Sequence, residues 1–435
     1  MTVQDLQSKV STPEFEERSV PACIAVICAF AATGMLATNI FLPSLPSMAA
    51  TLHVSSAAVT SAITVYLAIF AVGQLVVGPL SDRFGRRPVI LIGLSLFVAG
   101  TIGCAVARDL PDLLIGRSIQ ASGGCAALAL SRAIARDLFD RQLTRVMAAI
   151  TVATAAAPGF SPLLGGTLDY FLGWRSEFIF VAIFAVCTVT AYVSFVGETI
   201  RSARGSMNPL TIAGSYVALI RDIRFVVPAR TAGLLMIGLF AIFSSAPRLL
   251  VESFGFSPIT LGLLFAAIVF VVFAAGMLAT RLSARLGLHR ATVIGLAITV
   301  IGGATLLLAG LVAKGSFLPF ITATAIFLLG LGIASPLSSA AALSPFGNKA
   351  GVAAALLGFA QMAGGALGTW LAAAISSDPA LGLGIVAALA SPLALILCRL
   401  GGRASGADRA PERKAASRLH ETRKTAKDHP LGVER

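Results

Sequence analysis

The sequence predicts an all-α membrane protein of twelve transmembrane helices in two pseudo-symmetric six-helix bundles, and three observations carry that prediction. Of 435 residues, 57% are hydrophobic and 12% charged, with a mean hydropathy of +0.88. A soluble domain carries about a quarter charged residues, so a chain this long and this apolar cannot clothe a water-facing surface. The apolar residues fall in continuous Ala-, Leu- and Gly-rich runs and do not alternate with polar ones, which selects helices over a β-barrel. Finally, LSDRFGRRPVILIG at 80–93 is echoed by LSARLGLHRATVIG at 282–295, pairing Ser81 with Ser283, Arg83 with Arg285, Gly85 with Gly287 and Gly93 with Gly295. Duplicated halves of this kind mark transporters that rock about a midplane site.

Crossing a bilayer takes about 20 apolar residues. By that measure the spans are 20–42, 56–80, 88–107, 111–135, 143–168 and 177–197, then 228–250, 258–283, 291–312, 317–340, 349–375 and 380–400. The loops between them alternate in charge. Arg83, Arg86 and Arg87, then Arg132 to Arg145, Arg201 to Arg230, Arg281 to Arg290 and Lys349 give 16 basic residues on one side, against 4 on the other (Arg108, Arg175, Arg248 and Lys314). The positive-inside rule puts the basic side and both termini in the cytoplasm of an inner-membrane, multi-pass protein. The domain reading is a cytoplasmic arm (1–19), a first bundle (20–197), a cytoplasmic linker (198–227), a second bundle (228–400) and a disordered cytoplasmic tail (401–435). The arm contains Glu14, Glu16 and Glu17, which does not suit a cleavable signal peptide.

The net charge of +13 is explained by this topology, so no nucleic-acid partner is expected. All six cysteines lie in apolar stretches and read as small packing residues. His53, His289, His420 and His429 lie away from the middle of any span, and no phosphate-binding loop occurs. The expectation is a protein with no catalytic residues, no metal and no cofactor, which works as a monomer in the lipid bilayer.

Residues 73–88 read GQLVVGPLSDRFGRRP. The pattern of Gly78, Asp82, Arg83, Gly85, Arg86 and Arg87 resembles the loop 2–3 signature of the major facilitator superfamily. That resemblance implies the major facilitator fold and a latch, in which Asp82 docks near Asn348 to Ala350 at the start of the eleventh helix and holds the outward-facing state. In the fourth span, DLLIGRSIQASGG at 112–124 places Arg117 inside the membrane, where an ionised side chain marks function. The superfamily's fourth-helix motif links such an Arg to proton transfer. Snorkelling to the outer surface is the competing reading, because Arg117 lies about 9 Å along the helix from Pro111. The fifth span's APGFSPLLGG at 157–166 resembles the antiport motif, with Ala157 and Ser161 in place of two glycines. A kinked hinge of Pro158, Gly159, Pro162, Gly165 and Gly166 is expected, packed on Ala274, Ala275 and Gly276 of the eighth span.

NIFLPSLP at 39–46 and SRAIARDLF at 131–139 are similar to the bicyclomycin and chloramphenicol resistance branch of drug:proton antiporters. That branch has an acid where this chain has Asn39, and no Asp or Glu lies mid-span. Two readings of Asp112 stay open, a proton carrier paired with Arg117 and an acid of the first helical turn. The candidate substrate pocket is Asn39, Tyr66, Gln120, Phe243, Ser244, Phe327 and Gln361. With no midplane acid, a neutral or anionic small-molecule substrate is favoured over a cation. The resemblance implies export of small amphiphilic compounds by alternating access in exchange for protons. The alternatives are a proton-independent facilitator or importer of a metabolite, and a non-transporting sensor on the same scaffold.

Overall fold

A computed structural model of the chain describes residues 13–139, 142–195, 209–312 and 316–401. Among the described residues, twelve helices are long and apolar enough to cross a membrane. The first six are α1 (Pro13–Asn39), α2 (Ser56–Phe84), α3 (Arg86–Ala105), α4 (Leu110–Leu138), α5 (Leu143–Leu172) and α6 (Arg175–Phe195). The second six are α7 (Ile223–Pro247), α8 (Pro258–Leu286), α9 (Leu288–Val312), α10 (Phe317–Leu343), α11 (Ala350–Ile375) and α12 (Pro379–Gly401). There is no strand among the described residues. Most of the expected arm and the whole of the expected tail after residue 401 lie outside the described residues.

The two halves repeat one another in detail. Ser55 and Ser257, 202 positions apart, each cap a helix by accepting the N–H three residues on (Ala58 and Thr260, both 3.2 Å). Gly85 (φ 94°) and Gly287 (φ 83°) end the same two helices in a backbone conformation that disfavours a side chain. Their N–H groups donate to Ser81 and Ser283 at 3.1 and 2.9 Å. Gly93 and Gly123 bring α3 and α4 into backbone contact, as Gly295 and Gly330 do for α9 and α10. Helices without a hydrophobic drive between them pack through such small residues. Helix α1 packs on α4, α5 and α6, α7 packs on α10 and α11, and Gly401 of α12 reaches Val227. Large apolar side chains such as Ile92, Phe171, Phe270 and Leu308 remain outside for lipid to cover.

The bundles meet along α2 with α11 and α5 with α8. At the end away from the arginine-rich loops they are tied by hydrogen bonds from Ser56 to Glu252 and between the Thr64 and Thr369 hydroxyls (2.6 Å). Near the arginine-rich end, a Cβ on Gly78, Gly276 or Gly351 would meet no neighbouring helix within 4 Å among the described residues.

One element departs from expectation. Within the stretch read as a linker, Pro209–Arg221 is helical, and α7 starts five residues before 228 because Asp222 caps it, accepting the Arg224 N–H at 2.9 Å. The linker helix buries Leu219 against Phe225, Ala229 and Leu356. Its signal was the i, i+4, i+7 spacing of Ile212, Tyr216 and Leu219.

Candidate functional site

Helix α4 begins under an Asp109 cap (to the Asp112 N–H, 2.8 Å) and lies tight on α3, since a Cβ at Gly116 would sit 2.8 Å from the Cys104 nitrogen. Arg117 therefore projects to the other side of the helix, toward α1 and α2, and is 0% exposed. Its Nη1 donates to the Ala37 carbonyl (3.1 Å) and to Gln120 Oε1 (2.5 Å). The guanidinium lies between two rings, with its carbon 4.3 Å from the Phe41 centroid and 4.1 Å from that of Tyr66. Nε and Nη2 have no hydrogen-bond partner among the described residues. The surroundings fix this geometry, because Tyr66 donates its hydroxyl to Gly34 (3.2 Å) and Gln120 Nε2 donates to Thr101 (2.8 Å).

Magnitudes show what the arrangement does. A desolvated cation–π contact stabilises by about 2 kcal/mol. Burying an ion costs several kcal/mol. Two rings and two hydrogen bonds offset that cost, yet no carboxylate among the described residues pairs with the guanidinium, so the site retains an attraction for negative or electron-rich groups. The snorkelling reading is excluded by the burial of the side chain.

Asp112 is not the partner. It is exposed, and its Oδ2 accepts the Arg108 N–H at 3.2 Å. Five residues along a helix is about 140° of rotation, which sets Asp112 and Arg117 on different faces. The first-turn reading of Asp112 is the one the geometry bears.

The seven pocket candidates are spread over both bundles. Tyr66 and Gln120 sit with Arg117, while Asn39 is buried nearby on α1, its Nδ2 donating to Met35 (2.7 Å) and its Oδ1 unpartnered among the described residues. Phe327 fills a socket between Gly238 and Gly302 and so belongs to the packing of the second bundle. Phe243 packs edge-on to Phe240 and Phe265, and Ser244 donates to Ala241 (3.1 Å). Gln361 donates to Ser339 (3.2 Å). The residue placed in the second bundle as Arg117 is in the first is Thr324, by the matched contacts of Gly100 on Gln120 and Gly302 on Phe327. It is buried, and its hydroxyl lacks a partner among the described residues. The chemistry of the two halves thus differs where their backbones agree.

In the loop 2–3 motif, Asp82 is half-exposed and pairs with Arg86 at 2.7 Å, and Arg86 reaches Asp137 at 3.2 Å and the Ser81 hydroxyl. Arg83 stacks on Phe84 (5.0 Å), and Arg87 is engaged as well. In α5, which is one helix through Pro158 and Pro162, the contact with α8 lies higher than expected. A Cβ on Gly159 would be 2.8 Å from Val269, and one on Gly166 would overlap the Pro258 carbonyl oxygen. A Cβ on Gly165 would overlap the Ile40 carbonyl. Ala274, Ala275 and Gly276 are not the partners. Ala275 meets Gly332 of α10, because antiparallel register pairs 159 with 269 and leaves 274–276 below the seam.

Sequence reasoning missed Phe41, which stacks on Arg117, and Glu177, which is 0% exposed. The prolines on either side of Ser44 were the available signal, since a 3-10 turn at Leu42–Ser44 and a short helix at Leu45–Thr51 follow α1 there.

The profile of the Major Facilitator Superfamily matches residues 23–369. The chain belongs to that superfamily. Multidrug resistance protein D of Escherichia coli (strain K12) is 29% identical over 377 residues, covering 85% of this chain and 92% of its own. The chloramphenicol resistance protein of Pseudomonas aeruginosa is 29% identical over 354 residues, covering 80% and 83%. Multidrug resistance protein MdtL of Escherichia coli O81 (strain ED1a) is 30% identical over 363 residues, covering 80% and 88%. Among solved structures, the human organic anion transporter MFSD10 (TETRAN) superposes with a TM-score of 0.64 at 19% identity, over 89% of this chain and 100% of that one. This major facilitator is accordingly a multi-pass membrane transporter of small molecules and not an enzyme.

Proposed function

We propose that this major facilitator exports small amphiphilic compounds, neutral or anionic, across a bacterial inner membrane by alternating access in exchange for protons. The observation that carries the reading is the buried guanidinium of Arg117 between Phe41 and Tyr66 with no carboxylate beside it among the described residues. Such a site repels cations and rewards an electron-rich or anionic group that reaches it. The names of the relatives, which speak of multidrug and chloramphenicol resistance, support export and a drug-like substrate.

In this reading the arginine-rich end is cytoplasmic, with both termini, and the structure is closed to the periplasm through the Ser56, Thr64 and Gly166 contacts. The protein works as a monomer of two bundles, 20–197 and 228–400, joined by the linker 198–227. Asp82, with Gly78, Arg83, Gly85, Arg86 and Arg87, holds the opposite state by docking on the start of α11. The α5 seam of Pro158, Gly159, Pro162, Gly165 and Gly166 is the surface about which the bundles pivot.

The test is transport of radiolabelled chloramphenicol in proteoliposomes. An imposed pH gradient should drive accumulation, and a protonophore should abolish it. Uptake indifferent to the gradient would favour the second reading, a proton-independent facilitator, which the separation of Asp112 from Arg117 supports.

A further inference from the structure

The first bundle buries an acid as well as a base. Glu177, in the first turn of α6, is 0% exposed, and its Oε1 accepts a hydrogen bond from the Ser44 hydroxyl. Its Oε2 is buried with no partner among the described residues. At the helix start, the Ser176 and Glu177 N–H groups already donate to Gly173 (3.0 Å) and Trp174 (3.2 Å). One turn along the same segment, Ser47 donates to both carboxylate oxygens of Asp169 at 2.9 Å. Asp169 is half-buried, at the outer end of α5.

The charged groups around Glu177 do not neutralise it. From α5 comes Asp169, another acid. On α6, Arg175 donates to the Ala107 carbonyl (2.8 Å) and stacks on Trp174 (4.3 Å). Arg108, between α3 and α4, and Asp112, in the first turn of α4, are both exposed, and the Asp112 carboxylate accepts the Arg108 backbone N–H. From α4, Arg117 is screened by Phe41, whose ring lies 6.0 Å from that of Phe178, the neighbour of Glu177. The segment from Ala37 to Ser47 thus runs from the buried base to the buried acid, bonded to both.

We infer that Glu177 is a proton-binding carboxyl of this transporter, charged and discharged from the outer side through Asp169, and read out by the 37–47 segment that also holds Arg117. An ionised carboxylate with one hydroxyl partner in an apolar interior is costlier than its protonated form, so it exchanges a proton as its surroundings open and close. A proton from the periplasm bonds to Glu177 Oε2, the charge of the carboxylate disappears, and the same O–H bond breaks when the proton leaves. This gives the exchange a carrier in place of Asn39 and Asp112, and it rests on the proton-coupled reading above.

The experiment is infrared difference spectroscopy of the purified full-length protein across a pH titration, with gradient-driven chloramphenicol transport in parallel. The wild type should show the C=O stretch of a protonated carboxyl that titrates, and Glu177→Gln should lose that band together with gradient-driven accumulation. Glu177→Asp, which keeps the acid and withdraws it by one methylene, should shift the band, and it serves if Glu177→Gln does not fold. A band unchanged in both variants overturns the assignment. A band that behaves as expected in a wild type whose transport ignores the pH gradient overturns the antiport reading and leaves Glu177 a proton site without that use.

Discussion

The hydroxyl of Tyr216 in the linker helix donates to the backbone carbonyl of Leu75 in α2 at 2.9 Å, and Pro79 is why that oxygen is available. A helical carbonyl normally accepts from the N–H four residues on, and proline has none. The linker, fixed to the second bundle through Leu219, is thereby tied to the first.

Tyr216→Phe removes the one donor and leaves the ring. It should lower stability by about 1 kcal/mol, the worth of a typical hydrogen bond, measured by chemical denaturation in detergent. A change within a few tenths would show that water or lipid replaces the bond at no cost.

Arg117 should be functional and not structural. Replacing a buried, unpaired ion by an apolar side chain of similar volume is often neutral or stabilising. Arg117→Met should therefore unfold at or above the wild-type temperature, and a melting temperature that falls by several degrees would assign the residue to the framework. Asp112→Asn, on the exposed face of α4, should transport as the wild type does.

The helix start at Asp222 should depend on pH. Hydrogen bonding to Arg224 holds the Asp222 carboxyl below the usual carboxylate range. A group lowered on folding contributes stability above its unfolded range and loses it as the pH falls through its folded one. Asp222→Ala should cost about 1 kcal/mol at neutral pH, the value of a helix cap, and the difference from wild type should vanish in acid. A difference independent of pH would remove the ionised carboxylate from the account.

The α5 seam makes a steric prediction. Gly166→Ala and Gly165→Ala would drive a methyl group into the Pro258 and Ile40 carbonyls, and each should cost about 1–3 kcal/mol of stability, an overpacking penalty. Gly78→Ala meets nothing and should fold at least as stably, gaining up to about 1 kcal/mol of helix propensity. Equal melting temperatures for all three would mean that the close approach is not maintained.

Much of the fold was legible because the bilayer forces it. Each apolar run must be a helix, and the echo around Ser81 and Ser283 reflects two turns with the same glycine conformation. The burial of Arg117 was legible from its cost. Less legible was anything that depends on register. Nothing in APGFSPLLGG says that Gly159 meets Val269 in preference to Gly276, and nothing in the composition of α10 says that Phe327 is taken up by two glycines of its own bundle. Glu177 stands at a helix end by position, and only the folded chain, with the Ser44 hydroxyl bonded to it, places it out of water. The linker helix is hard to read from sequence because five arginines from Arg201 to Arg230 mask a three-residue apolar stripe.

Chloramphenicol accumulation under an imposed pH gradient in proteoliposomes, with wild type and Arg117→Met at equal incorporation, asks most directly whether the unpaired guanidinium is what the transporter works through. The wild type should concentrate the drug and the variant should not, despite an unchanged melting temperature. A variant that accumulates the drug as fast as the wild type would contradict the account.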